Sequence, residues 1–418
     1  MTIFISMAAY RDPQLVPTIA DCMARARWPD QLRFGVCWQH DGEEAPPPVL
    51  DHGRMRVVEV PWQESQGACW ARAQCMSLYD GEDYFLQLDS HHRFVQDWDA
   101  LLLNQAEMSG AERPLLSTYL PAFDPASPPS GKEAPTVMRF DRFTPQGIAL
   151  YQFGTVTPKP GNAPIRARFV SAHLLFTLGR FVEDVPYDPD LYFIGEEISL
   201  AIRAFTHGYD LFHPGEHVAW HEYTRRLRSK HWDDHRPEHG IEMAWHRRDA
   251  VSLEKVRHFL TKPETGRFAC GQARSFAEYE AYSGVCFRRR YAGRGARRGE
   301  EPAPPAPPQG PVRDWTVKLS FGRGAMPAEA LIRPLFWYVG FHDSEGNEIA
   351  RDDAGGAEVA AALASSDGRI RIERRFASNR APASWTLWPT DRKGRWLERI
   401  DGSIELRDGQ GEVIEVIR

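Results

Sequence analysis

The sequence predicts an α/β protein: a mainly parallel, Rossmann-like sheet covered by helices, with a small all-β, sandwich-like domain at the C-terminal end. Three observations carry this reading. Apolar, strand-like runs alternate with helix-period segments over residues 1–120. A proline-dense stretch, Ala303-Pro304-Pro305-Ala306-Pro307-Pro308, then marks a boundary. Beyond it, short alternating segments are separated by Gly, Asp and Asn turns.

Taken in order, Thr2–Met7 is a strand, and Asp12-Pro13 opens a helix with a side-chain cap and a proline in its first turn. Leu15, Ile19, Cys22, Met23 and Ala26 keep helical spacing until Trp28-Pro29-Asp30 stops it. Leu32–Gln39 alternates as a strand into His40-Asp41-Gly42, Arg56–Val60 is a third strand, and Gln66–Tyr79 is a helix. Tyr84–Leu88 is an apolar strand that runs into Asp89-Ser90-His91-His92. Repeated βα units imply parallel strands, and ligands of such sheets sit beyond the carboxyl ends. Those ends carry Tyr10-Arg11-Asp12, His40-Asp41 and Asp89-Ser90-His91.

Residues 121–165, rich in Pro, Ser and Gly, read as a long loop that serves as a lid or acceptor-binding insertion. Regular structure resumes near Phe169–Leu178, and Gly195–His207 is a helix with Ile198, Ile202 and Phe205 on one face, ended by Gly208. The basic run Arg225–Lys230 and a helix around Asp249–Leu260 follow. The expected domains are a catalytic domain at 1–292, a Pro-rich spacer at 293–311 and a β-sandwich-like domain at 312–418. In the last, Val317–Phe321, Leu335–His342, Ile370–Arg374, Trp385–Trp388 and Ile404–Leu406 are strands. Trp337, Trp385, Trp388 and Trp396 are assigned to its core rather than to ligand binding.

With 418 residues, 42% of them hydrophobic, the chain can bury a large core. Its net charge of −6 gives no general reason to bind nucleic acid or an anionic membrane. No stretch approaches the roughly 18 apolar residues of a membrane span, and the N-terminus lacks the basic region of a signal peptide. The six cysteines form no CxxC pair. A reducing cytoplasm is the expected location.

Asp89 and His91 stand at i and i+2 of an extended chain, so both face one side just past a strand end. A carboxylate with an imidazole suits a manganese-type divalent ion, with magnesium as the other option, and leaves positions open for diphosphate oxygens. The competing reading is a strand-terminal Asp that caps the next turn beside an incidental surface His. Glu196 and Glu197 open a helix, where the helix dipole favours carboxylates whatever their function.

The stretch Gly67-Ala68-Cys69-Trp70-Ala71-Arg72, then Gly81 and Leu88-Asp89-Ser90-His91, resembles the donor-binding half of GT-A glycosyltransferases. The same order of Gly, Ala-Arg and Asp-Ser-His stands in the mucin-type polypeptide N-acetylgalactosaminyltransferases. Ile5-Ser6-Met7-Ala8-Ala9-Tyr10-Arg11-Asp12, Phe193-Ile194-Gly195-Glu196-Glu197-Ile198-Ser199-Leu200 and Trp220-His221-Glu222-Tyr223 look still more like the cytoplasmic polypeptide N-acetylglucosaminyltransferases. The likeness covers residues 1–260 and leaves out the spacer and the C-terminal region.

The resemblance implies a retaining transfer from a UDP-sugar, UDP-GlcNAc above all, to a hydroxyl of a peptide or protein. It implies Asp89, His91 and His221 as metal ligands, and Ser6, Arg11, Asp41, Arg72, Ser90 and Gly195 at the donor. Glu196 and Glu197 would work at the sugar and the acceptor. Arginine's planar fork suits a diphosphate oxygen, although Arg72 also reads as an ordinary helix-surface residue. Asp41 reads equally as a turn residue. His213 and His217 are assigned to structure, because Pro214 and Gly215 break any helix that would align them with His221. The basic run reads as a solvated face or as a cover over the diphosphate. A glycosyltransferase with a glycan, lipid or small-molecule acceptor, a non-catalytic nucleotide-sugar-binding module and a metal-dependent hydrolase are the rival readings.

Overall fold

The computed structural model describes every residue except 43–44, 52, 128, 130, 225–227, 262–265, 306–312, 333–335, 394, 406–412 and 418, and the side chains of 413–417. The chain divides into two compact units, Met1–Cys270 with Tyr282–Pro305, and Gly271–Ala281 with Ala306–Arg418. No helix among the described residues is long and apolar enough to cross a membrane.

The first unit begins with β1 (Ile3–Tyr10), α1 (Leu15–Arg25), β2 (Leu32–His40), β3 (Met55–Pro61), α2 (Ala68–Met76) and β4 (Tyr84–Asp89). β1 pairs in parallel with β2 and with β4, and β2 with β3. Its residues Ile3, Phe4, Ile5, Met7 and Ala9 are all buried, which is why the strand reads as a continuous apolar run and not an alternating one. α1 buries Leu15, Thr18, Ile19 and Cys22, one stripe of an amphipathic helix.

The chain continues through β5 (His92–Phe94), α3 (Trp98–Met108), β6 (Pro114–Ser117), β7 (Thr136–Phe143), β8 (Ala149–Thr155), β9 (Ile165–Arg166) and β10 (Leu174–Leu178). Next come α4 (Phe181–Asp184), α5 (Glu196–Thr206), β11 (Asp210–His213), β12 (Ala219–His221), α6 (His231–Asp234) and α7 (Trp245–Thr261). The main sheet has eight strands in the order β3-β2-β1-β4-β10-β6-β11-β9, with β10 and β9 antiparallel to their neighbours. The chain winds outward from β1 to β3 and returns on the other side of β1 as β4. The switch point therefore lies at the carboxyl ends of β1 and β4, where an open α/β sheet binds its ligand.

Two local expectations are corrected. Residues 121–165 are not one loop: β7 and β8 form an antiparallel hairpin with a register shift between Phe140 and Arg142. Val137, Met138 and Phe140 are buried in it, so the flanking Pro and Gly residues had masked a real strand pair. Asp12 does not cap α1, whose N-cap is Gln14 without a side-chain bond. One Asp12 oxygen accepts the Gln14 N–H at 2.8 Å in a local turn, which frees the other oxygen for the site.

In the second unit, strands at Arg313–Gly322, Arg369–Ser378 and Val413–Ile417 make one sheet, and Trp337–His342, Glu348–Arg351, Ser384–Pro389 and Ile400–Ser403 make another. Val317, Leu319, Phe321 and Ile372 from the first share a core with Val339, Phe341 and Leu387 from the second. The last expected strand lies slightly earlier, at Ile400–Ser403; Leu406, like Leu335, is outside the described residues. Trp337 and Trp385 are buried, whereas Trp396 is 46% exposed and packs 4.7 Å from Trp388. Gly293, the first residue of the expected spacer, precedes a short helix at Arg294–Arg298, and residues 306–311 of that spacer are outside the described residues.

Candidate active site

Ala8 of β1 is level with Asp89, the end of β4, in the parallel ladder, and β1 runs on two residues further to Tyr10. Asp89 is the last residue of β4, and the chain turns there to place His91 beside it. His221 arrives from β12, which pairs with β5 and sets His221 opposite His92. Asp89 Oδ2 lies 3.1 Å from His221 Nε2 and 3.4 Å from His91 Nε2. One ligand atom from each of the three residues falls within 4.8 Å of the others.

The donor set, one carboxylate and two imidazoles, fits a borderline divalent ion. Its electrostatics fit too. Burial disfavours the Asp89 carboxylate, but the Arg72 guanidinium and hydrogen bonds from His221 and His91 hold its pKa well below the ordinary range. Burial, helped by the neighbouring His91 and His92, holds His221 well below its ordinary pKa, so its imidazole is neutral, the ligating form. His221 Nδ1 is buried without a hydrogen-bond partner among the described residues. Its ring stacks on His173 at 4.2 Å, which fixes its plane.

Asp12 supplies the support that sequence reasoning missed. Its buried Oδ2 accepts from Ser90 Oγ at 2.6 Å and lies 2.7 Å from His91 Nδ1. This orients the His91 ring with Nε2 toward Asp89, the usual carboxylate–histidine support of a metal site. Burial works against a charged His91, yet the contacts with Asp12 and Asp89 raise its pKa. Asp12 lies two residues past the end of β1, beside Ser90 in space. The Asp-Pro pair that signals a helix start concealed that.

Arg72, from α2, is buried between two carboxylates: 2.6 Å from Asp89 Oδ1 and 2.8 Å from Glu196 Oε1. It is thus an internal ion-pair residue and not the helix-surface arginine of the simpler reading. Glu196 also accepts from Tyr187 Oη at 2.7 Å. Burial raises the Glu196 pKa, against the pull of Arg72. Glu197 accepts from Tyr119 Oη at 2.6 Å and from the Ala172 N–H at 3.1 Å, and burial pushes its pKa up to about 7. Neither tyrosine carries a sequence signal, because both contacts are made across the fold.

A cleft of about 120 Å³ lies over these groups, lined by Ala8, Tyr10, Asp12, Arg72, Asp89, Ser90 and His91 below and by Arg228, Lys230, His231 and Trp232 above. Arg228 stands 2.9 Å from the ring nitrogens of His91 and 2.9 Å from Glu222 Oε2. Part of the basic run therefore faces the cleft, while Arg225, Arg226 and Leu227 are outside the described residues. At the far end Arg11 pairs with Asp41 at 3.0 Å and with Asp234 at 2.8 Å, and its guanidinium lies 5.4 Å from the Trp62 ring. Tyr10 Oη donates to Asp234 at 3.0 Å. Arg11 holds a left-handed φ of 44°, uncommon for a residue with a side chain.

Four expected donor residues, Ser6, Arg11, Asp41 and Gly195, are not in the lining, nor are His221, Glu196 and Glu197. Ser6 is fully buried on the face of β1 that carries Ala8 and Tyr10, one pleat further from the strand end. Gly195 begins α5 at φ 99°, and a Cβ there would stand 2.6 Å from Val256, so its requirement is close packing on α7. Gly67 lines the cleft, and a Cβ on it would stand 2.6 Å from the Tyr192 ring. His213 and His217 use both ring nitrogens on backbone groups, His213 on Ser117 and Met138 and His217 on Glu133 and Ala219, as structural residues do.

The glycosyltransferase (GlcNAc) family profile matches residues 2–54 and 48–289. No curated protein matches the sequence. Among solved structures, GalNAc-T7 with UDP, GalNAc and Mn2+ is 14% identical with a TM-score of 0.46, over 62% of this chain and 48% of that one. The chain therefore spans about half the length of GalNAc-T7. S. aureus TarS 1-349 in complex with UDP-GlcNAc is 11% identical with a TM-score of 0.36, over 62% and 73% of the two chains. The family match covers the whole main sheet, the Asp89–His91–His221 cluster and the Glu196–Glu197 pair, and this chain belongs to the glycosyltransferase (GlcNAc) family.

Proposed function

We propose that the chain is a divalent-metal-assisted glycosyltransferase that moves N-acetylglucosamine from UDP-GlcNAc to a hydroxyl of a peptide or protein. The observation that carries this is the convergence of Asp89, His91 and His221 at the switch point of the sheet, beside a cleft roofed by Arg228 and Lys230. The family description supports GlcNAc as the sugar. A bound manganese-type ion supplies Lewis-acid neutralisation of the charge on the leaving diphosphate.

The chain's own residues do the remaining work. Asp89, His91 and His221 would hold the ion, and Asp12 orients His91. Arg72 keeps Asp89 ionised from within, and Glu196 positions Arg72. Ser90 holds Asp12 in place through its hydroxyl. Glu197, titrating near neutrality, binds a hydroxyl of the sugar or the acceptor. Arg11 and Asp41 flank the nucleoside beside Trp62. Arg228 and Lys230 bring cationic charge to the diphosphate. Retention of configuration is carried over from the resemblance.

Turnover of a panel of UDP-sugars, with Mn2+ and with a chelator, tests the reading. UDP-GlcNAc should be hydrolysed or transferred only with metal, with the α-anomer formed in the product. If another UDP-sugar is turned over instead, the donor assignment is wrong. If a UDP-sugar is bound but never turned over, a binding module takes the place of the catalytic reading, and if none is bound both readings fail.

A further inference from the structure

Away from the donor cleft, α5, α7 and residues 266–269 enclose a second cavity of about 220 Å³. Leu191, Val256, Phe259 and Phe268 give it apolar walls, and Arg203 enters it from α5. Arg203 is 3% exposed, and its Nε and Nη2 are enclosed without a hydrogen-bond partner. Among the described residues no carboxylate lies within ion-pair distance of it. Its guanidinium is 5.8 Å from the Phe268 ring centroid. The neighbouring cation is in a different state: Lys255 Nζ is held by Asp188 at 2.8 Å and Asp190 at 2.7 Å. Burial lowers the Arg203 pKa to about 10, which leaves it cationic at neutral pH.

A buried cation without a partner is strongly disfavoured unless an anion joins it. We propose that this cavity binds a small organic carboxylate with an apolar tail. The carboxylate sits on the planar fork of Arg203, and the tail lies against Leu191, Val256 and Phe268. A monoanion is favoured over a phosphate because Lys255 is already neutralised by Asp188 and Asp190. Arg267, the other cation of the lining, is exposed and lies 5.7 Å from the Phe268 ring centroid, so Arg203 is the one buried cation left to pair among the described lining residues. Glu196, Ser199 and Arg203 share one stripe of α5, so the occupant lies two helical turns from the ion-paired Glu196.

Calorimetric titration of the full chain with hexanoate, hexanamide and inorganic phosphate tests this. Hexanoate should bind saturably at one site per chain, with hexanamide and phosphate at least about tenfold weaker. Arg203→Met should weaken hexanoate by at least about tenfold and leave Mn2+–UDP binding unchanged. If that variant fails to fold, Ala269→Phe, which fills the cavity and keeps Arg203, should abolish hexanoate binding. The proposal is overturned by absence of saturable hexanoate binding, by equal binding of hexanamide, by phosphate binding as tightly as hexanoate, or by hexanoate binding that survives cavity filling.

Discussion

Both units of the chain bury charge, and they do so differently. In the second unit Arg380 lies 2.7 Å from Asp343, whose Oδ1 also accepts the N–H groups of Glu345 and Asn347 at 2.9 Å. Arg374 is likewise paired with Glu358 at 2.6 Å. These groups close turns and strands upon themselves. In the first unit Asp89 is shared among Arg72, His91 and His221, and Asp89, Arg72 and His91 line a cleft. Among the described residues, His221 Nδ1 and two nitrogens of Arg203 have no hydrogen-bond partner, but neither has Arg380 Nε, so an unpartnered nitrogen alone does not separate the two units. Buried charge by itself therefore marks structure. Convergence of several groups on open space marks a site.

That contrast can be broken by substitution. His221→Ala should lower metal-dependent donor turnover by about 10³-fold, since it removes a ligand from an ion worth several kcal/mol of charge stabilisation. Steady-state kinetics with Mn2+ check this. Arg380→Met should do the reverse: chemical denaturation should show a loss of about 3 kcal/mol, with donor turnover unchanged. If turnover fell as well, the second unit would have to contribute to the site.

A pH experiment sharpens the comparison. Glu197 in the folded chain has its pKa raised to about 7 against 4.5 ordinarily. The folded state then binds the proton more tightly, so this stabilisation is complete below about pH 4.5 and is lost as pH rises through 7. Wild type should lose about 3 kcal/mol relative to Glu197→Gln between pH 4.5 and pH 8, read from denaturation midpoints. A constant difference would mean that Glu197 is ionised throughout. The smallest effect expected is that of Asp12→Asn, which should weaken Mn2+ binding by about 10- to 100-fold without unfolding the chain.

Much of the fold was legible because it rests on local pattern. The buried runs at Ile3–Tyr10 and Tyr84–Asp89 are apolar in the sequence, and the i, i+2 spacing of Asp89 and His91 places both at one strand end. Local spacing does not reach contacts between distant residues. His221 meets Asp89 across 132 positions and is named through the family resemblance alone, whereas Arg228, which meets His91 across 137, is named only as part of a basic run. Asp12 was hidden for a second reason, since Asp-Pro is a strong local helix signal and its other oxygen acts elsewhere. The β7–β8 hairpin was hidden by the Pro and Gly content around it. Arg72 reads in sequence as a diphosphate ligand, or else a helix-surface residue, because nothing in α2 itself reveals the carboxylates of Asp89 and Glu196.

The most direct test of the central claim is Mn2+ binding followed by electron paramagnetic resonance, with and without UDP, for wild type and Asp89→Ala. One Mn2+ per chain, tightened by UDP and lost in Asp89→Ala while the fold is kept, is the predicted result. Mn2+ binding that is unchanged in the variant, or that is indifferent to UDP, would contradict the assignment of Asp89, His91 and His221 as the metal centre of a nucleotide-sugar site.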